Sequence, residues 1–143
     1  MDFSSINIEL YDKFTFGKCI RQQREEVGLS LRNVASNIGI SAAYLSDIEK
    51  GQRYAPVSNG DLSLIYKLLK VLNVPEEQFD SVIDMAYSTH GCHKDIVDYL
   101  SGCEKARKFI RCASVLQLND DDWNELLGQL KEKSGSKTLR KEK

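Results

Sequence analysis

The sequence lacks several features that mark membrane proteins and enzymes. It has no apolar run long enough to cross a bilayer, and its N-terminal segment lacks the basic start and apolar core of a signal peptide. We therefore expect a cytosolic protein with no membrane contact. Only two histidines are present, close together in one segment, and no glycine motif suited to cradling a phosphate occurs. We therefore expect neither an enzyme nor a cofactor.

Cysteine is sparse and is not arranged as in a standard metal module. The four cysteines are Cys19, Cys92, Cys103 and Cys112. We expect free thiols, because the cytosol keeps cysteines reduced. A metal site built from His90, Cys92, His93 and Cys103 is an alternative, since His-Gly-Cys-His is dense in ligands. The spacing of these ligands does not fit a zinc module, so no metal is predicted.

Charge is unevenly distributed along a chain whose formal net charge is −1. Residues 13–72 carry nine lysines and arginines against five acidic residues, whereas residues 73–103 carry six acidic residues against Lys94 alone. The basic half is therefore the half expected to contact nucleic acid. The acidic stretch from Glu76 to Asp98 is either a docking face for a protein or a solvated surface.

Residues 30–51 contain two short amphipathic segments, each preceded by a serine that can cap a helix. Ser30 and Ser41 are these caps, and Gly39 between the segments allows the backbone conformation that ends one helix and directs the next. Apolar side chains share one face of each segment, which lets the two helices pack. They are Val34, Ala35, Ile38, Ile40, Leu45 and Ile48. The pattern predicts a helix-turn-helix unit.

Further helices are predicted on both sides of this unit. A first helix spans residues 14–27 and ends at Gly28. After a turn-rich loop, apolar spacing predicts a helix at residues 62–72 and another opened by Pro75. The C-terminal part shows three more helical patterns, at residues 96–100, 106–116 and 120–130, with Asn119 capping the last.

The sequence as a whole predicts an all-α chain, with a helical domain built around the helix-turn-helix unit and followed by a helical C-terminal extension. The predicted parts are an N-terminal arm at residues 1–12, a DNA-binding domain at residues 13–87, the extension at residues 88–133 and a disordered tail at residues 134–143.

The segment from Phe16 to Leu72 resembles the Cro and lambda-repressor family of helix-turn-helix regulators. The resemblance rests on the joint occurrence of Ala35, Gly39, the capping serines and the sequence Glu-Lys-Gly at residues 49–51. It implies a five-helix repressor-like DNA-binding domain, with the second helix of the motif in the major groove of double-stranded DNA. It also implies an ion pair between Arg24 and Glu49 that sets the angle between helices, with direct DNA contact by Arg24 as the alternative.

The expected DNA contacts lie on and around the second helix of the motif. They are Ser30, Arg32, Ser41, Ala42, Ala43, Tyr44, Ser46, Asp47, Lys50, Gln52 and Arg53. Ala42 and Ala43 stand where the phage repressors that this segment resembles commonly carry glutamines that read bases. Alanine offers only contact with a thymine methyl group, so specificity depends on other positions. Arg53 is expected to be the largest electrostatic contributor, whereas Arg32 contacts DNA or is simply solvated.

The C-terminal part resembles the extension of repressor-type regulators encoded beside a metallopeptidase of the ImmA/IrrE type. The matching segments are Asp-Ile-x-x-Tyr-Leu at residues 95–100, Phe-Ile-Arg at residues 109–111 and Asp-Asp-Trp-Asn-Glu-Leu-Leu at residues 121–127. Phe109, Ile110, Trp123 and Leu127 are candidate contacts with a second copy or with another protein, or they fold onto the first module.

Two functions follow from these observations. The first is a sequence-specific regulator, acting as a repressor and binding a palindromic operator as a homodimer, because one small unit contacts too few phosphates for tight binding. The alternative is an antitoxin or immunity-type protein whose C-terminal helices bind a partner such as a toxin or metallopeptidase.

Overall fold

The structure is a computed structural model that describes residue 3, residues 6–57 and residues 60–141, with side chains described as far as residue 137. These residues form eight α-helices and no β-strand, which confirms the all-α fold class. The helices are α1 (Lys13–Glu26), α2 (Leu31–Ile38), α3 (Ala42–Glu49), α4 (Ser63–Val71), α5 (Phe79–Ser88), α6 (Lys94–Gly102), α7 (Glu104–Leu116) and α8 (Asp120–Lys141). None of the described helices is both long and apolar enough to cross a membrane.

Residues 9–98 form one compact unit built around α1 to α5. All five helices contribute side chains to a single apolar core. Five of the six predicted motif residues are buried in it together with apolar residues of α1, α4 and α5, and the sixth, Ile40, is partly buried against it. The largest fully buried side chains include Phe16, Leu45, Ile48, Ile65, Leu68, Leu69, Leu72 and Ile83. The core therefore fixes α2 and α3 against the rest of the unit.

The helix ends follow local chemistry. The Asp12 carboxylate accepts a hydrogen bond from the Thr15 N–H at 2.7 Å and caps α1, and this bond lowers the pKa of Asp12. Gly39 ends α2 with φ of +78°, a conformation that favours glycine. Just before α1, the Tyr11 N–H donates to Ser88 Oγ at 3.0 Å. Residues 9–12 of the predicted arm are therefore part of the unit.

The close contact between α1 and α3 depends on Gly17. A Cβ atom at this position would lie 2.3 Å from the carbonyl oxygen of Ile48 and 2.6 Å from that of Glu49. Both are backbone atoms at the end of α3, and they cannot rotate away as a side chain would. Glycine is therefore what lets α1 and α3 approach so closely, a role that the sequence analysis did not identify.

The boundary between the two parts of the chain does not fall between residues 87 and 88, where it was predicted. The first unit extends to Asp98, within α6. The buried His93 ring places Nδ1 3.1 Å from Asp84 Oδ2, and Asp84 Oδ1 accepts a hydrogen bond from the Lys94 N–H at 3.2 Å. Val97 also packs against the core. The segment after α5 is therefore held by tertiary contacts, although its composition is typical of a linker.

The second unit contains residues 1–8 and 99–143, with α7 and α8 as its main helices. Asn119 and Asp122 form a reciprocal cap at the start of α8. Asn119 Oδ1 accepts from the Asp122 N–H, and Asp122 Oδ2 accepts from the Asn119 N–H, each at 3.0 Å. Asn119 thus has the capping geometry expected of it.

The expectation of a disordered tail at residues 134–143 is wrong as far as Lys141, because α8 continues to that residue. The prediction relied on polarity, and polarity alone does not end a helix. Lysine, leucine and arginine favour helices, and positive charge near a helix C-terminus suits the helix dipole. Ser136 Oγ donates to the Glu132 carbonyl oxygen at 3.2 Å, which keeps the serine compatible with the helix. Residues 142 and 143 lie outside the described residues.

Candidate nucleic-acid interface

Both helices of the motif begin at a serine cap. Ser30 Oγ accepts from the Asn33 N–H and Ser41 Oγ from the Tyr44 N–H, each at 3.1 Å. Each cap satisfies one of the N–H groups that a helix start leaves without an internal partner. Ser30 and Ser41 are exposed, so the remaining N–H groups of each first turn lie near the surface. Such groups can bind phosphate oxygens.

An ion pair between half-buried Arg24 and buried Glu49 joins α1 to the end of α3. Arg24 Nε lies 2.6 Å from Glu49 Oε1, and Arg24 Nη2 lies 3.0 Å from Glu49 Oε2. The third guanidinium nitrogen donates to the Leu29 carbonyl oxygen at 3.0 Å. Hydrogen bonding to the Glu49 carboxylate raises the pKa of Arg24, although partial burial opposes the charge. The Arg24 side chain is only 14% exposed, so it orients α3 from within the fold.

The predicted reading residues of α3 differ in exposure. Ala43 is exposed, while Ser46 and Asp47 are half-buried. Ala42 and Tyr44 are half-buried and pack against the core. Ala42 and Tyr44 therefore stabilise the fold of α3 with part of their surface. Ala43, Ser46 and Asp47 lie on the accessible side.

The basic loop after α3 folds back onto its last turn. The N–H groups of Gln52 and Arg53 both donate to the Asp47 carbonyl oxygen, at 2.8 and 3.2 Å. Arg53 Nε lies 3.9 Å from Asp47 Oδ2, and the Arg53 side chain is 65% exposed. Lys50 is also exposed. The structure thus brings Asp47, Lys50, Gln52 and Arg53 together at one end of α3, while Arg32 lies exposed in the first turn of α2.

His90 anchors this loop from the segment after α5. Its ring stacks on Tyr54 with the ring centroids 4.8 Å apart, and Nε2 lies 3.1 Å from the Ala55 carbonyl oxygen. A carbonyl oxygen only accepts, so Nε2 carries the donated proton. Lys13 Nζ lies 4.9 Å from the centroid of the Tyr54 ring. This role of His90 cannot be predicted from the sequence, because no local spacing links His90 to a loop 35 residues earlier.

The alternative metal ligands have other neighbours. His90 contacts Ala55 and His93 contacts Asp84. Burial raises the pKa of the Cys92 thiol, with a further contribution from the Asp95 carboxylate, and this favours the protonated thiol. In the part of the chain that the structure describes, no three side chains of histidine, cysteine, aspartate or glutamate are grouped to hold a metal ion.

The second unit exposes most of its apolar side chains. Phe109, Ile110, Trp123 and Leu127 are 49%, 47%, 37% and 47% exposed. Among the described side chains of residues 99–137, Ala113 is the only buried one. A groove between α7 and α8 is lined mainly by apolar residues, including Phe109 and Leu126. The unit therefore has amphipathic helices but almost no internal core.

Comparison with known proteins identifies the first unit. Residues 15–82 match the family model described as a helix-turn-helix domain. Among curated proteins, none has a sequence that matches this chain.

Three solved structures illustrate the likeness. The restriction-modification controller protein C.AhdI from Aeromonas hydrophila is 30% identical over 47% of this chain and 94% of that chain, with a TM-score of 0.38. The clp gene regulator ClgR from C. glutamicum is 25% identical over 58% of this chain and 94% of that chain, with a TM-score of 0.40. A SinR protein/SinI protein complex contains a chain 22% identical over 84% of this chain and 98% of that chain, with a TM-score of 0.38. Through residues 15–82, which contain the whole of α2 and α3, the chain belongs to the helix-turn-helix domain family.

Proposed function

We propose that this chain is a sequence-specific, DNA-binding transcriptional regulator with α3 in the major groove of double-stranded DNA. The observation that supports the proposal most strongly is that α3 is fixed within a helix-turn-helix domain while one of its faces stays accessible. The Arg24–Glu49 pair and the contact at Gly17 fix the end of α3 against α1. Ala43, Ser46 and Asp47 of α3 remain accessible. A helix that enters DNA must keep both this accessible face and a fixed angle.

The charges around α3 support contact with the DNA backbone. Arg32, Lys50 and Arg53 are exposed cations near the two helices of the motif. The N-terminal turns that follow Ser30 and Ser41 add backbone N–H donors to the same region. Cations and N–H donors fix the position of a protein on DNA, and accessible side chains of the inserted helix then read the bases.

A second copy of the chain is the partner that we propose for the second unit. Two helices whose only buried side chain within residues 99–137 is Ala113 bury too little apolar surface to be stable alone. Covering Phe109, Ile110, Trp123 and Leu127 with the same surface of another copy would supply the missing core. Such a homodimer presents two α3 helices, which suits a palindromic operator. Repression follows if the dimer occupies a promoter and blocks polymerase.

The same exposed surface also favours a second candidate function. A toxin, a metallopeptidase or another protein could cover it instead, which would make the chain an antitoxin or immunity-type protein. The mass of the purified protein separates the two candidates. A homodimer that binds an operator supports the regulator, while a stable complex with a different protein and no homodimer supports the alternative.

The test of DNA binding is a selection of bound duplexes from a random pool at two salt concentrations. Arg53→Ala and Arg32→Ala are compared with Arg21→Ala, which removes an exposed cation paired to Glu25 on α1. We expect wild type to enrich a palindrome, and we expect the first two variants to bind it less tightly with a shallower salt dependence. Arg21→Ala should bind like wild type. No enrichment, or equal binding by all three variants, would contradict the proposal.

A further inference from the structure

Asp47 is the one acidic side chain on the accessible side of α3, and it faces the exposed arginine of the following loop. Its carboxylate is 3.9 Å from Arg53 Nε, and the two side chains are 37% and 65% exposed. On a helix that enters DNA, a carboxylate is repelled by the phosphates. Attraction to the DNA backbone therefore does not explain why an acidic side chain stands beside Arg53.

The loop geometry holds Arg53 beside Asp47 independently of their charges. The Asp47 carbonyl oxygen accepts hydrogen bonds from the N–H groups of Gln52 and Arg53. Gly51, which precedes them, has φ of +72° and turns the chain back towards α3. The Arg53 backbone is thus fixed near Asp47, so the guanidinium stays within reach of the carboxylate.

We propose that Asp47 determines specificity by restraining Arg53; this inference rests on the proposed DNA-binding function. On random DNA, the paired guanidinium contributes little to sequence-independent binding because Asp47 offsets its charge. At an operator, the same carboxylate accepts a hydrogen bond from a cytosine amine, or orients Arg53 towards its contact. Asp47 therefore lowers binding to random DNA more than binding to the operator, which widens the difference between them.

The Asp47→Asn substitution tests this inference in the chain of residues 1–143. It preserves the side-chain shape and leaves the Asp47 carbonyl oxygen in place for the loop. Releasing one cation for phosphate contact steepens the slope of log K against log salt by about 0.9. Taking the two proteins to bind random duplex equally at about 1 M salt, this slope gives about fivefold tighter binding by the variant at about 0.15 M salt. Affinity for the operator should rise less, so the ratio of operator to random affinity falls.

Asp98→Asn is the matched control. Asp98 pairs with Lys94 four residues earlier on α6, so the control also removes one carboxylate from an exposed cation. We expect it to change random-duplex binding by less than about twofold, because simple net charge is a weak effect at this salt. Asp47→Asn and Asp98→Asn are then each introduced into the Arg53→Ala variant, and random-duplex binding is measured again. There, Asp47→Asn should lose most of its effect, since the residue on which it acts is gone.

The outcomes separate this inference from the proposed function. Wild type that binds no duplex contradicts both. Wild type that binds an operator while Asp47→Asn behaves like Asp98→Asn contradicts only the role of Asp47. An equal gain from Asp47→Asn with and without Arg53 also contradicts it, because Asp47 would then act by direct repulsion alone. Asp47→Ser is a second substitution that removes the carboxylate. Thermal unfolding of each variant verifies that the fold is retained.

Discussion

Replacing Gly17 with alanine should separate α1 from α3 and destabilise the DNA-binding unit. The new Cβ would lie 2.3 Å from the Ile48 carbonyl oxygen, so an ordinary contact near 3.4 Å requires a local shift of about 1 Å. Overpacking of this kind costs about 1–3 kcal/mol. Alanine recovers up to about 1 kcal/mol through its better helix propensity. We expect a net loss of about 1–2 kcal/mol, because backbone atoms cannot rotate out of the way.

Thermal unfolding followed by circular dichroism measures this loss. For a unit of about 90 residues, each kcal/mol corresponds to about 4–8 °C in Tm, so we expect a decrease of about 5–15 °C. Gly128→Ala is the matched control, because Gly128 lies inside α8 and a Cβ there meets nothing within 4 Å. That variant should be as stable as wild type or more stable. Equal stability of Gly17→Ala and Gly128→Ala would contradict the close contact of α1 with α3.

Two further predictions concern the start of α1 and the exposed surface of α8. Asp12→Ala should lower stability at neutral pH. Because the cap lowers the folded-state pKa of Asp12 below its ordinary value of 3.8, its stabilisation is present above that value and is lost as the pH falls through the folded-state pKa. Unfolding curves of variant and wild type should therefore converge in acid; a constant difference would contradict this. Leu127→Glu should give monomers in sedimentation equilibrium, while Asn124→Asp should remain dimeric; an unchanged mass for Leu127→Glu would exclude this surface from the interface.

Local patterns were sufficient to predict the helix-turn-helix unit. The caps at Ser30 and Ser41 and the turn at Gly39 depend on residues within three or four positions. They can therefore be predicted from the sequence alone. The apolar face containing Val34 and Leu45 is equally local. Consequently the helices of the motif lie where the pattern placed them, and both residues are buried.

Features that depend on distant contacts could not be predicted in the same way. Nothing near Gly17 in the sequence indicates that the end of α3 passes within contact distance. The extension of the first unit to Asp98 depends on the contact of His93 with Asp84, whereas the sequence around His93 suggests only a metal ligand. The pairing of Asp47 with Arg53 needs the loop to fold back, which follows from backbone hydrogen bonds rather than from composition.

The most direct test of α3 as the reading helix is a change in its sequence preference. Ala43 is exposed on α3, and glutamine there could bind the major-groove edge of adenine through two hydrogen bonds. Duplex selection with Ala43→Gln should therefore change the preferred base at one position in each half-site, towards adenine, and leave the half-site spacing unchanged. An identical preferred sequence for Ala43→Gln and wild type would contradict the placement of α3 in the major groove.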